Sequence, residues 1–246
     1  MRALEAPDGS HVSAEDFVLV QGLRDTRGAL ERWHHDPGPV LRAWFGWSLL
    51  VACGLLTAVW FVASVAPSDA TRVAIPGVHY EPGATDIAAI LGRNALVLAL
   101  HATACVAGFL AGSSLRHAAA QRTGLSRVVH EKAGPIAIAF VVAATLFSLT
   151  TQAFVLGSTA ATLSGQLAIS PGVLVLTALP HALPELVALF LPLAAWMIAS
   201  RNDEWHDLLA ATFVTVGVAI PILVVSAMLE TYLWPEILKQ ASPLIS

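Results

Sequence analysis

The sequence predicts an all-α polytopic transmembrane helix bundle of about five spans, the fourth broken or kinked by prolines. Three observations predict it. Charged residues make up only 12% of the 246 residues and hydrophobic ones 56%, whereas a soluble domain carries about 25% charged residues. The apolar residues are gathered into five runs, each long enough for the roughly 20 residues that a helix needs to cross the hydrocarbon core. Within those runs nothing alternates as the roughly ten-residue strands of a membrane barrel would. Lipid offers the backbone no partner, so unbroken runs of this length are helices.

Residues 1–42 read as a cytoplasmic N-terminal segment. They hold charges throughout and no signal-peptide apolar region. A helix is expected over residues 13–35, capped by Ser13 with Asp16 as partner. Phe17, Val20, Leu23, Leu30 and Trp33 would form its apolar stripe, laid on the membrane surface or on the bundle. His34, His35, Asp36 and Pro37 end it.

Residues 43–236 form the membrane domain. The first span is Ala43–Ala66. A loop from Pro67 to Arg93 follows, punctuated by Pro76, Gly77, Pro82 and Gly83, with a short helix over Thr85–Leu91. The second span is Asn94–Ser114 and the third Gly134–Gly157. The fourth, Val173–Ser200, contains Pro180, Pro184 and Pro192, each lacking the backbone N–H that a helix interior uses. The fifth is Leu208–Trp234, with Trp234-Pro235 ending it. Residues 237–246 are a short extracytoplasmic tail. Ala104, Gly108 and Gly112 follow a small-xxx-small pattern suited to close helix packing, within the fold or between protomers. Cys53 and Cys105 read as buried packing cysteines.

Basic residues orient the bundle. Ten of the 13 lie in the N-terminal segment, the second-to-third loop and the fourth-to-fifth loop; Arg72, Arg93 and Lys239 lie on the other side. The positive-inside rule puts the N-terminus in the cytoplasm and the C-terminus outside. Trp44, Trp47, Trp60, Trp196 and Trp234 fall near span ends, where interfacial anchors belong. The Arg-rich, Ala-rich composition hints at a GC-rich bacterial genome, and the membrane expected for such a helical bundle is the bacterial plasma membrane. A net charge of −4 gives no reason to expect a nucleic-acid partner.

Ionisable groups within spans are functional candidates because lipid penalises them. His181 and Glu185, four apart, share a helix face beside Pro180 and Pro184. Glu230 lies near the outer end of the fifth span, His101 in the outer half of the second, and Gln152 in the third. Asn94 opens the second span. These groups are expected to converge on one buried polar cluster in the outer half. Three uses suit it: a hydrogen-bond network locking the helices, a proton or cation pathway, or a divalent metal site with His181, Glu185 and Glu230 as ligands. No H-E-x-x-H, G-x-S-x-G or P-loop motif occurs, so no catalytic residues are assigned and no cofactor beyond that optional metal.

The order of these motifs resembles the stage II sporulation protein M family of bacterial membrane proteins. Arg93-Asn94-Ala95 opens an early span, and Gly108 and Gly112 follow. Pro180-His181 to Glu185 forms a Pro-His-x-x-x-Glu core, and Ala227 to Glu230 precedes Pro235. The similarity covers roughly residues 85–236. It departs at Ala182, where the family usually has Gly. The resemblance implies a non-catalytic scaffold that recruits membrane or envelope partners for envelope remodelling. The alternative is a small proton- or metal-linked transporter, which with five spans would need a homo-oligomer.

Overall fold

The computed structural model describes residues 18–69, 72–110 and 125–245. Helices account for the architecture, and the described residues contain no strand. α1 is Val18–His35, α2 Gly38–Val65, α3 Ala84–Phe109, α4 Leu125–Leu167, α5 Pro171–Asn202, α6 Leu208–Met228 and α7 Trp234–Ala241. A π-turn, Leu229–Leu233, joins α6 to α7. Five helical segments are long and apolar enough to cross a membrane, as the sequence predicts: α2, α3, the Ile138–Leu167 part of α4, α5, and the run Trp205–Ala241. The chain is on this evidence a multi-pass membrane protein.

α5 is the axis. Its most apolar stretch is 67% buried, against 6% for that of α4. α2, α3 and α6 pack on α5, α3 packs also on α6, and α4 sits outside on α2. Small residues set the closest approaches. A Cβ on Gly108 would lie 2.7 Å from the Trp196 indole and 2.9 Å from Leu208. Gly108 therefore serves the helix packing expected of it, beside Ala104, which packs against the core. Gly157 does the same between α4 and α2: a Cβ there would lie 2.5 Å from Val62. Gly112, Ser13, Asp16 and Phe17 lie outside the described residues.

Several expectations need correction. α5 continues through Pro180, Pro184 and Pro192 without interruption, so of the expected break or kink the break does not occur. α3 starts at Ala84 rather than near Asn94 and includes the short helix expected over residues 85–91. Gly83 N–H donates to Asp86 Oδ2 (2.8 Å) at its start. The last span does not end at Trp234-Pro235. Pro235 occupies the first turn of α7, where no N–H is needed, and the helix runs to Ala241. Trp44 and Trp196 are buried within the bundle rather than placed as interfacial anchors. Cys105 is buried, but Cys53 faces outward.

α1 docks on the bundle with part of the expected stripe: Trp33 and Leu30 face the bundle, Leu23 does not, and the side chains of Phe17 and Val20 lie outside the described residues. Gly22 and Ala29 are buried while Leu23 is 71% exposed. Gly22 approaches Leu209 and Phe109, and Trp33 meets Trp44 edge-on at 5.2 Å. Arg32 Nη2 donates to both carboxylate oxygens of Asp207 (2.6 and 2.8 Å). This pair is half-exposed, so screening limits it to about 1 kcal/mol or less; the small-residue face carries the docking.

At the opposite end of the bundle a strap, of which residues 66–69 and 72–83 are described, lies against the helix ends. Asp69 N–H and Val73 N–H donate to Thr162 Oγ1 (3.2 Å) and Gln166 Oε1 (3.3 Å) of α4. Gly77 has φ +78° and lies against Pro235, where a Cβ would come within 2.7 Å; only glycine meets both demands. At the strap's end Tyr80 O–H donates to Asp86 Oδ1 (2.7 Å), and this bond holds the phenol's pKa above its ordinary value.

Gly108→Val and Gly157→Val should each destabilise the folded protein by about 1–3 kcal/mol through overpacking. Gly54→Ala, with open space around its Cα, should be neutral or slightly stabilising. Thermal unfolding in detergent checks the contrast.

Candidate functional site

One face of α5 carries Thr177, His181 and Glu185, each a helical turn further along. Glu185 lies fourteen residues into α5, roughly 21 Å of helix rise from its start. That depth sets a carboxylate well inside the span. Trp234, just past the π-turn, anchors the neighbouring element to this face. Its Nε1–H donates to Thr177 Oγ1 (3.3 Å), and its ring centroid is 5.2 Å from that of His181. The π-turn thereby holds Glu230 beside the same face. α3 supplies Arg93 and Asn94. Arg93 Nη2 is 3.7 Å from Glu230 Oε1, an ion pair longer than a hydrogen bond.

These side chains border a partly open cavity of about 380 Å³ between the strap and the middle of the bundle. Arg93, His181, Glu185 and Glu230 line its polar part. The remainder is apolar apart from Thr159, with Leu56 and Val59 of α2, Leu163 of α4, Leu174 and Ala178 of α5, and Trp234. The size falls within the roughly 300–1,000 Å³ of small-molecule sites.

Polar atoms around the cavity lack partners. Glu185 Oε2 and His181 Nδ1 are buried without a close hydrogen bond; Asn94 lies beside the Glu185 carboxylate and interacts with it. Glu185 lies within electrostatic reach of Glu230 and Arg93, and His181 within reach of Arg93. With His181 neutral, the ionised site sums to one negative charge: Arg93 offsets one carboxylate, and the other is uncompensated. A buried carboxylate in that position must be neutralised by a proton or by a cation.

The structure thus brings together Asn94, His181, Glu185 and Glu230, as expected. It does not bring in His101 or Gln152. Gln152 Nε2 donates to Ser148 Oγ (3.1 Å) on its own helix. His101 is buried against Phe190, ring centroids 5.5 Å apart, with Nδ1 2.8 Å from Leu189 O. One turn further along α3, Cys105 Sγ donates to Pro192 O (3.0 Å). Pro192 lacks the N–H that would bond to Ala188 O, and its ring crowds the preceding turn. His101 and Cys105 bond to two carbonyls of this stretch, Leu189 O and Pro192 O. They brace the proline turn of α5 rather than line the cavity.

Arg93 is the site residue that sequence reasoning missed, having been counted as a basic flank. Its adjacency to Asn94 was the available signal. Among the described residues, no three His, Cys, Asp or Glu side chains are grouped to hold a metal ion.

His101→Leu should leave Leu189 O without its side-chain partner and cost about 1–3 kcal/mol of stability. It should leave ligand occupancy of the cavity unchanged in the fraction that remains folded. Denaturation monitored by tryptophan fluorescence reads the first effect and ligand titration the second.

Compared with protein-family models, with curated proteins and with solved structures, the chain matches none.

Proposed function

We propose that the protein is the membrane-embedded core of a small transporter or channel, in which the charged cavity exchanges a proton for a small ligand. One observation carries this reading: Glu185 and His181 present buried, unpartnered atoms beside an open cavity. A network whose only task was to lock helices would pair its members, because each unpaired buried group forfeits the bond that justifies it. Of the unpaired buried atoms, those of Glu185 and His181 border the space that a ligand could fill. The five spans are few for a lone transporter, so the working unit is an oligomer. The asymmetry of basic residues supports a cytoplasmic α1 and a cavity facing the extracytoplasmic side of a bacterial plasma membrane.

A second reading is a non-catalytic scaffold for envelope-remodelling partners. It draws on the resemblance to the stage II sporulation protein M family. It is favoured by α4, where Phe140, Phe147 and Phe154 repeat every seven residues and all point away from the bundle, 65–74% exposed. A partner helix could use such a stripe, and so could lipid.

Purified protein in liposomes carrying an internal pH dye should show protein-dependent proton movement under an imposed gradient. Glu185→Gln should abolish most of it, and Glu230→Gln should reduce it, with folding intact by size-exclusion profile. Absence of flux under any gradient would sink the transport reading. For the scaffold, His181→Ala should leave partners bound in photo-crosslinking from position 147. Orientation is checked by single-cysteine labelling in intact cells: a cysteine at position 79 should react with an impermeant maleimide and one at position 203 should not.

A further inference from the structure

The geometry points to a monovalent organic cation with an apolar body as the cavity's ligand, its charge seated between Glu185 and Glu230 and its body against Leu56, Leu163, Leu174 and Trp234. The inference rests on the exchange reading above and names what is exchanged. Three features select this class. The ionised site has one negative charge in excess, so it accepts one positive charge and repels a second anion. Its lining beyond the charged end is apolar apart from Thr159, more apolar surface than a hydrated metal ion or an inorganic cation would use. Trp234 presents an indole at the boundary between the two parts, 5.2 Å from the His181 ring, where a cation gains from an aromatic face.

A transition metal is a poorer fit, since no three ligating side chains are grouped among the described residues. An anionic lipid headgroup is a poorer fit too. Arg93 would attract it, but Glu185 and Glu230 face the same space. The groups facing Glu185 are Arg93 from α3, Glu230 from the π-turn and His181 from α5 itself. The lining from α2, α4 and residues 73–76 contains no titratable side chain. Glu185 is therefore where proton and cation compete: when the cation arrives, the carboxyl O–H bond breaks, the proton leaves to water, and the carboxylate pairs with the cation. When it departs, the proton returns.

The test is equilibrium binding of radiolabelled tetraphenylphosphonium to the purified full-length protein in lipid nanodiscs. Tetraphenylborate, nearly identical in shape and opposite in charge, serves as competitor, and benzyltriethylammonium as a smaller cation. The expected result is saturable tetraphenylphosphonium binding that strengthens as pH rises, releases about one proton per cation in weakly buffered solution, and is displaced by benzyltriethylammonium but not by tetraphenylborate. Glu185→Gln should weaken binding by about tenfold or more and remove the pH dependence. Ala178→Phe, which fills the apolar part, should weaken binding of the bulky cation more than that of benzyltriethylammonium. No saturable binding of either cation, or displacement by tetraphenylborate as effective as by the cation, would overturn the inference. So would unchanged binding in Glu185→Gln. Proton flux without cation binding would leave the exchange reading standing and remove this ligand class; loss of both would remove both.

Discussion

Every helix of this bundle is arranged around one buried span that carries three prolines in an environment without water. Each internal proline deletes a backbone donor and crowds the turn before it. In a soluble protein, water could repair such a turn; in lipid the repair must come from protein. Side chains of α3 reach the α5 backbone beside the third proline: His101 and Cys105 contact Leu189 O and Pro192 O. Gly108, three residues further along α3, lets the Trp196 indole close against the helix. α3 thus meets α5 through both backbone contacts and close packing. Nearer its start, the same helix carries Arg93 and Asn94 beside Glu185.

Much of the fold was legible because lipid enforces a simple rule. Length and apolarity identify spans regardless of tertiary detail, and all five were located. Their ends were less legible. α3 begins ten residues before the apolar run because Gly83 and Asp86 set a helix start that hydropathy does not register. α7 continues past Pro235 because proline costs nothing in a first turn. The stripe on α1 was legible only in part: Trp33 meets the bundle, but Leu23 does not, and Gly22 and Ala29 complete the docking face. Small residues carry little hydropathic weight even where they permit the closest contact.

The site was half legible. Helical spacing put His181 and Glu185 on one face, and depth counting brought Glu230 to them. Depth alone cannot give rotation about the helix axis, which is why His101 was grouped with the cluster. In the fold it turns toward the carbonyls near Pro192, a partner no single-span pattern encodes. Arg93 was hidden by the misplaced start of α3: a residue assigned to a loop is not weighed as a group within a span. Once the helix start is moved back, an arginine next to a buried asparagine becomes the counter-charge that two carboxylates require.

The π-turn between α6 and α7 acts as a phase shifter. Trp234 N–H bonds to Leu229 O, one residue further back than in an α-helix, so the turn holds one residue more than the α repeat. Everything beyond it is rotated by roughly 100° relative to an uninterrupted helix. Without that extra residue, Trp234 would lose its alignment with Thr177 and His181, and Pro235 its place against Gly77. A single inserted residue thereby determines which side of the last span looks into the bundle. Shortening the turn by one residue would redirect the tryptophan and the tail together, with every other side chain unchanged.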